Sequence, residues 1–317
     1  MVEPHEIAES RSIHRRTGKT FYFATRLLPE RVRRPTYVLY AFFRVADEVV
    51  DDPDGASPAA QRARLREIRA AALGHEPTDD PVLSAFSEVR ATHDIPAAEV
   101  EAFLDAMATD VDTDHYETYA DLEAYMRGSA AAVGAMMTVV MGTDDLETAL
   151  PHARRLGEAF QLTNFLRDVG EDVAERDRIY LPRETLSAYG ADVGDLEARR
   201  FTPELGDAIA HELRRAEHLY REGVAGITYL PRDCQLPVLT AAVLYADHHR
   251  LIRNRGYDTV TATPSLGTLR KLALVARTRW HWLWSDDPAA VFERVSGISM
   301  TGDRSQPAGP GKPVPTR

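Results

Sequence analysis

Between Thr36 and Val50 the chain is apolar on almost every side of a helix, yet this segment closes on charge: Arg44, Asp47, Glu48, Asp51 and Asp52. A helix apolar all round is buried all round. Carboxylates on it cannot simply lose their water; they must meet cations, a wet cleft or basic side chains. Positions 44, 47, 48 and 51 share one face, and Asp47 and Asp51, four apart, hold their Cβ atoms about 5–6 Å from each other. Like charges at that spacing repel mildly, so a compensating cation is expected. Mg²⁺ suits the place, being a hard ion held by one or two carboxylates plus substrate phosphates. A lone Asp-x-x-x-Asp is also what a solvated helix end carries. Pro35 is expected in the first helical turn, with the Pro-Asp-Gly at 53–55 ending the helix.

A second segment, residues 154–184, changes the weight of the first. Gln161, Asn164, Asp168 and Asp172 recur at steps of three, four and four, which puts them on one polar stripe of an otherwise apolar helix, with Arg167 adjacent. Two buried helices would then each carry Asp-x-x-x-Asp with an arginine nearby. Facing each other, they bring four carboxylates into one cavity. Such a group repels itself without metal and suits a magnesium cluster gripping a diphosphate.

Elsewhere the apolar residues recur at helical spacing, as in Leu213, Ala216, Leu219 and Tyr220, and strand-type alternation is nowhere sustained. Breaks fall at 53–58, 74–81, 93–96, 142–145, 230–237 and 261–265. The expected fold is all-α, a single domain over residues 1–298, followed by a disordered Pro/Gly-rich tail over 299–317. A hydrophobic fraction of 44% supplies the core, and a net charge of −11 excludes a sequence-independent nucleic-acid binder. Lysine is rare (Lys19, Lys271 and Lys312), an arginine bias that a high-salt cytoplasm and a GC-rich genome explain equally. Cys234 stands alone, so no intramolecular disulfide forms and a reducing compartment is expected. Neither a signal peptide nor a run of about 20 apolar residues is present. The protein is therefore expected to be cytoplasmic and soluble, with peripheral membrane contact left open.

Several signals are discounted. The segment Asp110–His115, with Asp121 twelfth, lacks the glycine of a calcium loop. Asp247, His248 and His249 have metal-ligating side chains, but adjacent histidines on a helix diverge, and a solvated face is expected. No GxGxxG or Walker sequence occurs.

The chain resembles the squalene/phytoene synthase family. The resemblance is carried by DEVVD (47–51), QLTNFLRDVGED (161–172) and RIYLP (178–182), and extends through TGKTFYFATRLLP (17–29), RRLGEAFQ (154–161) and YADHHRLI (245–252). It implies a class I isoprenoid synthase helical bundle with a central active-site cavity, in which two prenyl diphosphates condense head to head. By this resemblance Mg²⁺, or Mn²⁺ in its place, is held by Asp47, Asp51, Asp168 and Asp172, with Asn164 assisting, and NADPH is not expected. Ionisation of one substrate is followed by attack of the other's double bond, giving a cyclopropylcarbinyl diphosphate that ionises again.

The resemblance further implies that Lys19, Arg44 and Arg167 contact diphosphate and that Gln161 and Asn164 line the cavity. Tyr40, Tyr180 and Tyr245 occupy positions associated with the cation or diphosphate, and Phe21 faces the isoprenoid tail. Aromatic faces stabilise cations without capturing them. Tyr40 and Tyr245 read equally as core residues, and Arg44 as a partner of Asp47 or Asp51. Asp110 lies near a family acid, and a solvated turn accounts for it equally well. In YMRGS (125–129) Arg127 stands where relatives carry a second tyrosine. The small residues 130–135 serve close helix contacts or a cavity wall.

The DEVVD form points to the phytoene-forming branch, which uses geranylgeranyl diphosphate. The alternatives are squalene or dehydrosqualene formation from farnesyl diphosphate and, in another class, a non-catalytic assembly relative. The sequence leaves the oligomeric state open.

Overall fold

The computed structural model describes residues 2, 4–17, 23–51 and 56–301. Lys19, Phe21 and the expected tail beyond Thr301 lie outside the described residues. Among the described residues the regular structure is helical, save one isolated parallel bridge between His115 and Ile179. The all-α expectation therefore holds.

The helices run, in chain order, α1 (Pro4–Thr17), α2 (Glu30–Val50), α3 (Pro58–Ala72), α4 (Pro81–Thr92), α5 (Ala97–Thr109) and α6 (Tyr119–Met126). A wide π turn, Arg127–Ala131, leads into α7 (Ala132–Met141) and the long α8 (Leu146–Arg167). Then come α9 (Val169–Arg176), α10 (Arg183–Tyr189), α11 (Val193–Glu197), α12 (Pro203–Ala225), α13 (Arg232–Asn254), α14 (Thr268–Trp282) and α15 (Pro288–Ser296).

Helix α2 is buried nearly all round, as its composition demands. Leu39, Ala41, Phe42 and Ala46 are fully enclosed, and Phe42 stacks on Phe86 of α4 at 3.7 Å. Each large side chain so buried contributes about 1.5–3 kcal/mol. That explains one departure from expectation: α2 begins at Glu30, so Pro35 lies inside the helix and not in its first turn. Burial of Val32, Val38 and Leu39 around the proline offsets the one backbone bond it removes. A second departure is at 230–237. The chain breaks only at Leu230–Pro231, and α13 carries Pro237 within it.

Asp145 caps the start of helix α8, its side chain accepting from Thr148 N at 3.1 Å, and the helix packs against α7 and α12. The small residues near 130 and 157 make this possible. At Gly157 an added Cβ would overlap the carbonyl oxygen of Ala130. Both uses proposed for the small-residue run are realised. Its backbone is a close helix contact at Ala130, and Val133 and Gly134 line a pocket beside α8.

Candidate active site

The first acidic pair sits at the end of α2. Asp47 is in its last turn, and Asp51 follows it at φ −95°, ψ 0°, donating its N–H to Asp47 O at 3.0 Å. The second pair is built differently. Asp168 lies between two helices, at φ −103° and ψ 15°, where α8 stops and α9 starts. Gly170 explains the break: its N–H donates to Thr259 O at 3.0 Å, which takes the amide out of the α8 ladder. The approach to that strap is so close that a Cβ on Gly170 would overlap Val260 O. Asp168 O then receives the N–H groups of Glu171 and Asp172, both at 2.8 Å, and α9 winds from there. The single continuous stripe expected over Gln161, Asn164, Asp168 and Asp172 is thus corrected to two helical segments joined at Asp168.

The two motifs face each other across arginines. Arg176 Nη1 is 2.7 Å from Asp172 Oδ1, and its Nε is 3.6 Å from Asp51 Oδ2. Arg178 Nη1 is 2.9 Å from Asp51 Oδ1, and its Nη2 donates to Asp110 O at 3.1 Å. Arg44 pairs with Asp47 and reaches Glu48 at 3.4 Å, while Arg167 Nε donates to Asp168 Oδ1 at 2.7 Å. Each of the four aspartates therefore has a guanidinium partner. Among the described residues no three of His, Cys, Asp and Glu converge closely enough to hold an ion by themselves. Mg²⁺ does not require that, since substrate oxygens and water complete its shell.

Other observations fit a cation and an anion at this mouth. Burial, then repulsion from Asp51, pushes the Asp47 carboxyl up to about 6. Burial raises Asp172 to about 7 against the pull of Arg176, and it raises Asp110 to about 7 against that of Arg178. Such shifts mark negative charge crowded out of water, which a divalent cation would relieve. Arg44 Nε and Asp110 Oδ1 are buried without a partner. The first is a donor suited to an anion's oxygen, the second an acceptor suited to a cation or water.

Aromatic side chains flank the charges. Tyr180 is buried, stacked on Phe165 at 3.7 Å and 9°, with Tyr116 and Tyr125 each 6.0 Å away. Tyr125 Oη donates to Asp110 Oδ2 at 2.8 Å. Tyr245 stacks on Phe160 at 4.5 Å, and burial holds its hydroxyl up to about 12. Tyr40 is half-buried on α2. Gln161 and Asn164 are half-buried on α8, about two turns and one turn before Asp168.

Phe160 also lines an apolar pocket of about 120 Å³. Ala149, Ala153 and Gly157 continue along one side of α8, with Met137 and Met141 opposite on α7. The rise of α8 from Ala149 to Asp168 is about 28 Å. The charged cluster at the C-terminal end of α8 and the apolar pocket beside its earlier turns thus lie along one helix.

Arg176, Arg178, Tyr125 and Phe165 were not singled out by residue type and spacing. Arg178 and Tyr125 lie inside recognised stretches, RIYLP and YMRGS, but only the fold shows what they touch. Arg127, at the departing position, turns to the buried Glu99 at 3.0 Å, which Arg154 also grips at 2.6 Å. The solvated face expected for Asp247, His248 and His249 is corrected: all three are buried. Asp247 is held by Arg250 and Arg270 at 2.9 and 2.6 Å, and His249 meets Thr163 Oγ1 at 2.9 Å. Buried charges persist where they are paired. In the Asp110–His115 segment, Asp114 O accepts the N–H of Ile179 at 2.7 Å, so the turn splints the arginine segment.

Comparison with known proteins agrees with this geometry. The family profile of squalene/phytoene synthases matches residues 14–280. A phytoene synthase of Cereibacter sphaeroides is 34% identical over 98% of this chain and 84% of its own. A 15-cis-phytoene synthase of Synechococcus elongatus is 32% identical over 83% of this chain and 89% of its own. Among solved structures, a dehydrosqualene synthase in complex with ligand superposes with a TM-score of 0.80 at 29% identity, covering 89% of this chain and 98% of that one. The chain belongs to the squalene/phytoene synthase family.

Proposed function

We propose that this chain is a phytoene synthase, a prenyltransferase that joins two molecules of geranylgeranyl diphosphate head to head in carotenoid biosynthesis. The observation that carries the proposal is the cluster of facing aspartates and arginines at one end of α8, with an apolar pocket beside the earlier turns of the same helix. Its relatives of that name in Cereibacter sphaeroides and Synechococcus elongatus support the branch.

Asp47, Asp51, Asp168 and Asp172, with Asn164, are the residues that would hold Mg²⁺, which neutralises charge developing on a departing diphosphate. Arg44, through its unpartnered Nε, and Arg167 and Arg178 bind and orient diphosphate oxygens. When substrate enters, Arg176 releases one carboxylate or both and turns to phosphate, exchanging one set of charge-assisted bonds for another. The rings of Tyr245, Phe160, Tyr180 and Phe165 screen the allylic cation from water. Lys19 and Phe21 extend the diphosphate and tail contacts. The reaction takes place in the cytoplasm without NADPH.

Purified protein with Mg²⁺ is offered farnesyl or geranylgeranyl diphosphate, with and without NADPH, and the hydrocarbon is identified. Phytoene from geranylgeranyl diphosphate alone is expected; no product from either substrate would refute the proposal. Ala149→Phe, at the pocket's far end, should suppress use of the longer substrate more than the shorter. Equal loss for both would detach chain length from this pocket.

A further inference from the structure

We propose that the outward face of α14 is a docking surface for an anionic lipid bilayer. A helix on a water-soluble protein turns its apolar stripe inward. Helix α14 does the reverse: of its fifteen residues only Leu274 and Thr278 are buried. Leu269, Leu272, Ala276, Trp280 and Leu283 recur every three or four residues on the other side, a row about 21 Å long. Leu269 is 84% exposed and Trp284, just past the helix, 75%. Trp280 and Trp284 lie 6.1 Å apart, edge to face. An apolar row of this kind on a surface marks an interaction site.

Charge on the same helix identifies the occupant. Between Thr268 and Trp282 stand Arg270, Lys271, Arg277 and Arg279, with His281 and no acid, in a chain whose net charge is −11. Arg270 is tied to Asp247, and Arg277 reaches Arg294 O at 3.4 Å. The nearest acids along the chain are Asp286 and Asp287, and Asp287 caps α15 through Ala289 N at 2.9 Å. Asp286 and Asp287 lie past the C-terminal end of the helix, so a surface laid along Thr268–Trp282 meets bases and no acid of the helix itself. Leucine and tryptophan on one face with Arg and Lys beside them are what an interfacial helix needs: indole rings at headgroup level, long basic side chains reaching phosphate. Among the described residues no helix is long and apolar enough to cross a membrane, so the contact is one of lying on the bilayer. A second copy of the chain is a poorer occupant, since pairing α14 with α14 would bring together two helices that each carry bases and no acid.

The three tryptophans of the chain are Trp280, Trp282 and Trp284, so intrinsic fluorescence reports on this face without labels. The full chain is mixed with phosphatidylcholine vesicles or with equal phosphatidylcholine and phosphatidylglycerol. Expected are a blue-shifted emission, quenching by brominated acyl chains, and binding to the anionic vesicles roughly tenfold tighter or more, weakening with salt. Arg277→Glu with Arg279→Glu should remove the preference for phosphatidylglycerol. Leu272→Ser with Trp280→Ser should abolish co-sedimentation while helicity and turnover of detergent-dispersed substrate are kept. Emission unmoved by either vesicle would overturn the proposal. So would a concentration-dependent blue shift without lipid accompanied by a doubled mass in light scattering. Vesicle binding is read without turnover, so its failure is distinct from a failure of the proposed reaction.

Discussion

The two Asp-x-x-x-Asp segments have identical spacing and different backbones. Asp47 and Asp51 close one unbroken helix whose burial on nearly every side fixes them rigidly. Asp168 and Asp172 straddle a break, with Asp168 at the joint and Asp172 in the first turn of a new helix. The first pair is placed by apolar packing, the second by a glycine pressed against the strap at Thr259–Val260. A sequence pattern fixes which residues are four apart; it does not say whether the helix between them continues.

The comparison can be broken most decisively at the joint itself. Asp168→Asn keeps the shape of the side chain and removes its charge, and turnover should fall by roughly 10²–10³-fold or more with circular dichroism unchanged. Full activity in that variant would show that the second motif does not hold the metal.

Next in size is Gly170→Ala, which should lower unfolding stability by about 1–3 kcal/mol because the new methyl group overlaps Val260 O. The residue at the equivalent place in the first motif is Val49. Val49→Ala only deletes methyl groups from a partly buried site and should cost about 0.5–1.5 kcal/mol. Equal melting temperatures for the two variants would erase the distinction between a packed and a strapped motif.

A smaller effect tests the bridge between the motifs. Arg176→Gln leaves the buried Asp172 without its 2.7 Å partner and should destabilise the metal-free protein by about 1–2 kcal/mol. Added Mg²⁺ should restore part of that loss in a thermal melt; no recovery would argue against an exchange between guanidinium and metal.

The smallest expected effect is on pH dependence. Asp172 and Asp110 have folded pKa values of about 7, raised from 3.8 mainly by burial. A raised carboxyl binds its proton more tightly when folded, so its contribution is complete below about 3.8 and is lost as pH rises through about 7. Without divalent ions the melting temperature should therefore fall between pH 6 and pH 8. With Mg²⁺, which requires the ionised form, that fall should flatten. A melt that climbs through this range without metal would contradict the crowding of charge at the mouth.

Much of the site was legible because two rules of helix periodicity reach across few residues. The apolar run 36–50 told that α2 is buried, and steps of three and four put Asp47 with Asp51 on one face. The all-α class followed from the same periodicity, and resemblance across most of the chain supplied the family. What could not be read were contacts between segments distant in sequence. Arg178 meets Asp51 across 127 positions, and Gly170 meets Thr259 across 89; no local pattern encodes either. The burial of Asp247 and His249 is hidden from local pattern for the same reason, since Arg270 and Thr163, which meet them, lie on other helices.

The sequence by itself determined the helical class and the matching spacing of the four aspartates, because periodicity and side-chain type are local. The tertiary structure decided that α8 breaks at Asp168, that Arg176 spans the two motifs with Arg178 beside it on Asp51, and that an apolar pocket lies along the earlier turns of α8. Each of these depends on which surfaces meet, and that is settled by close packing over the whole core.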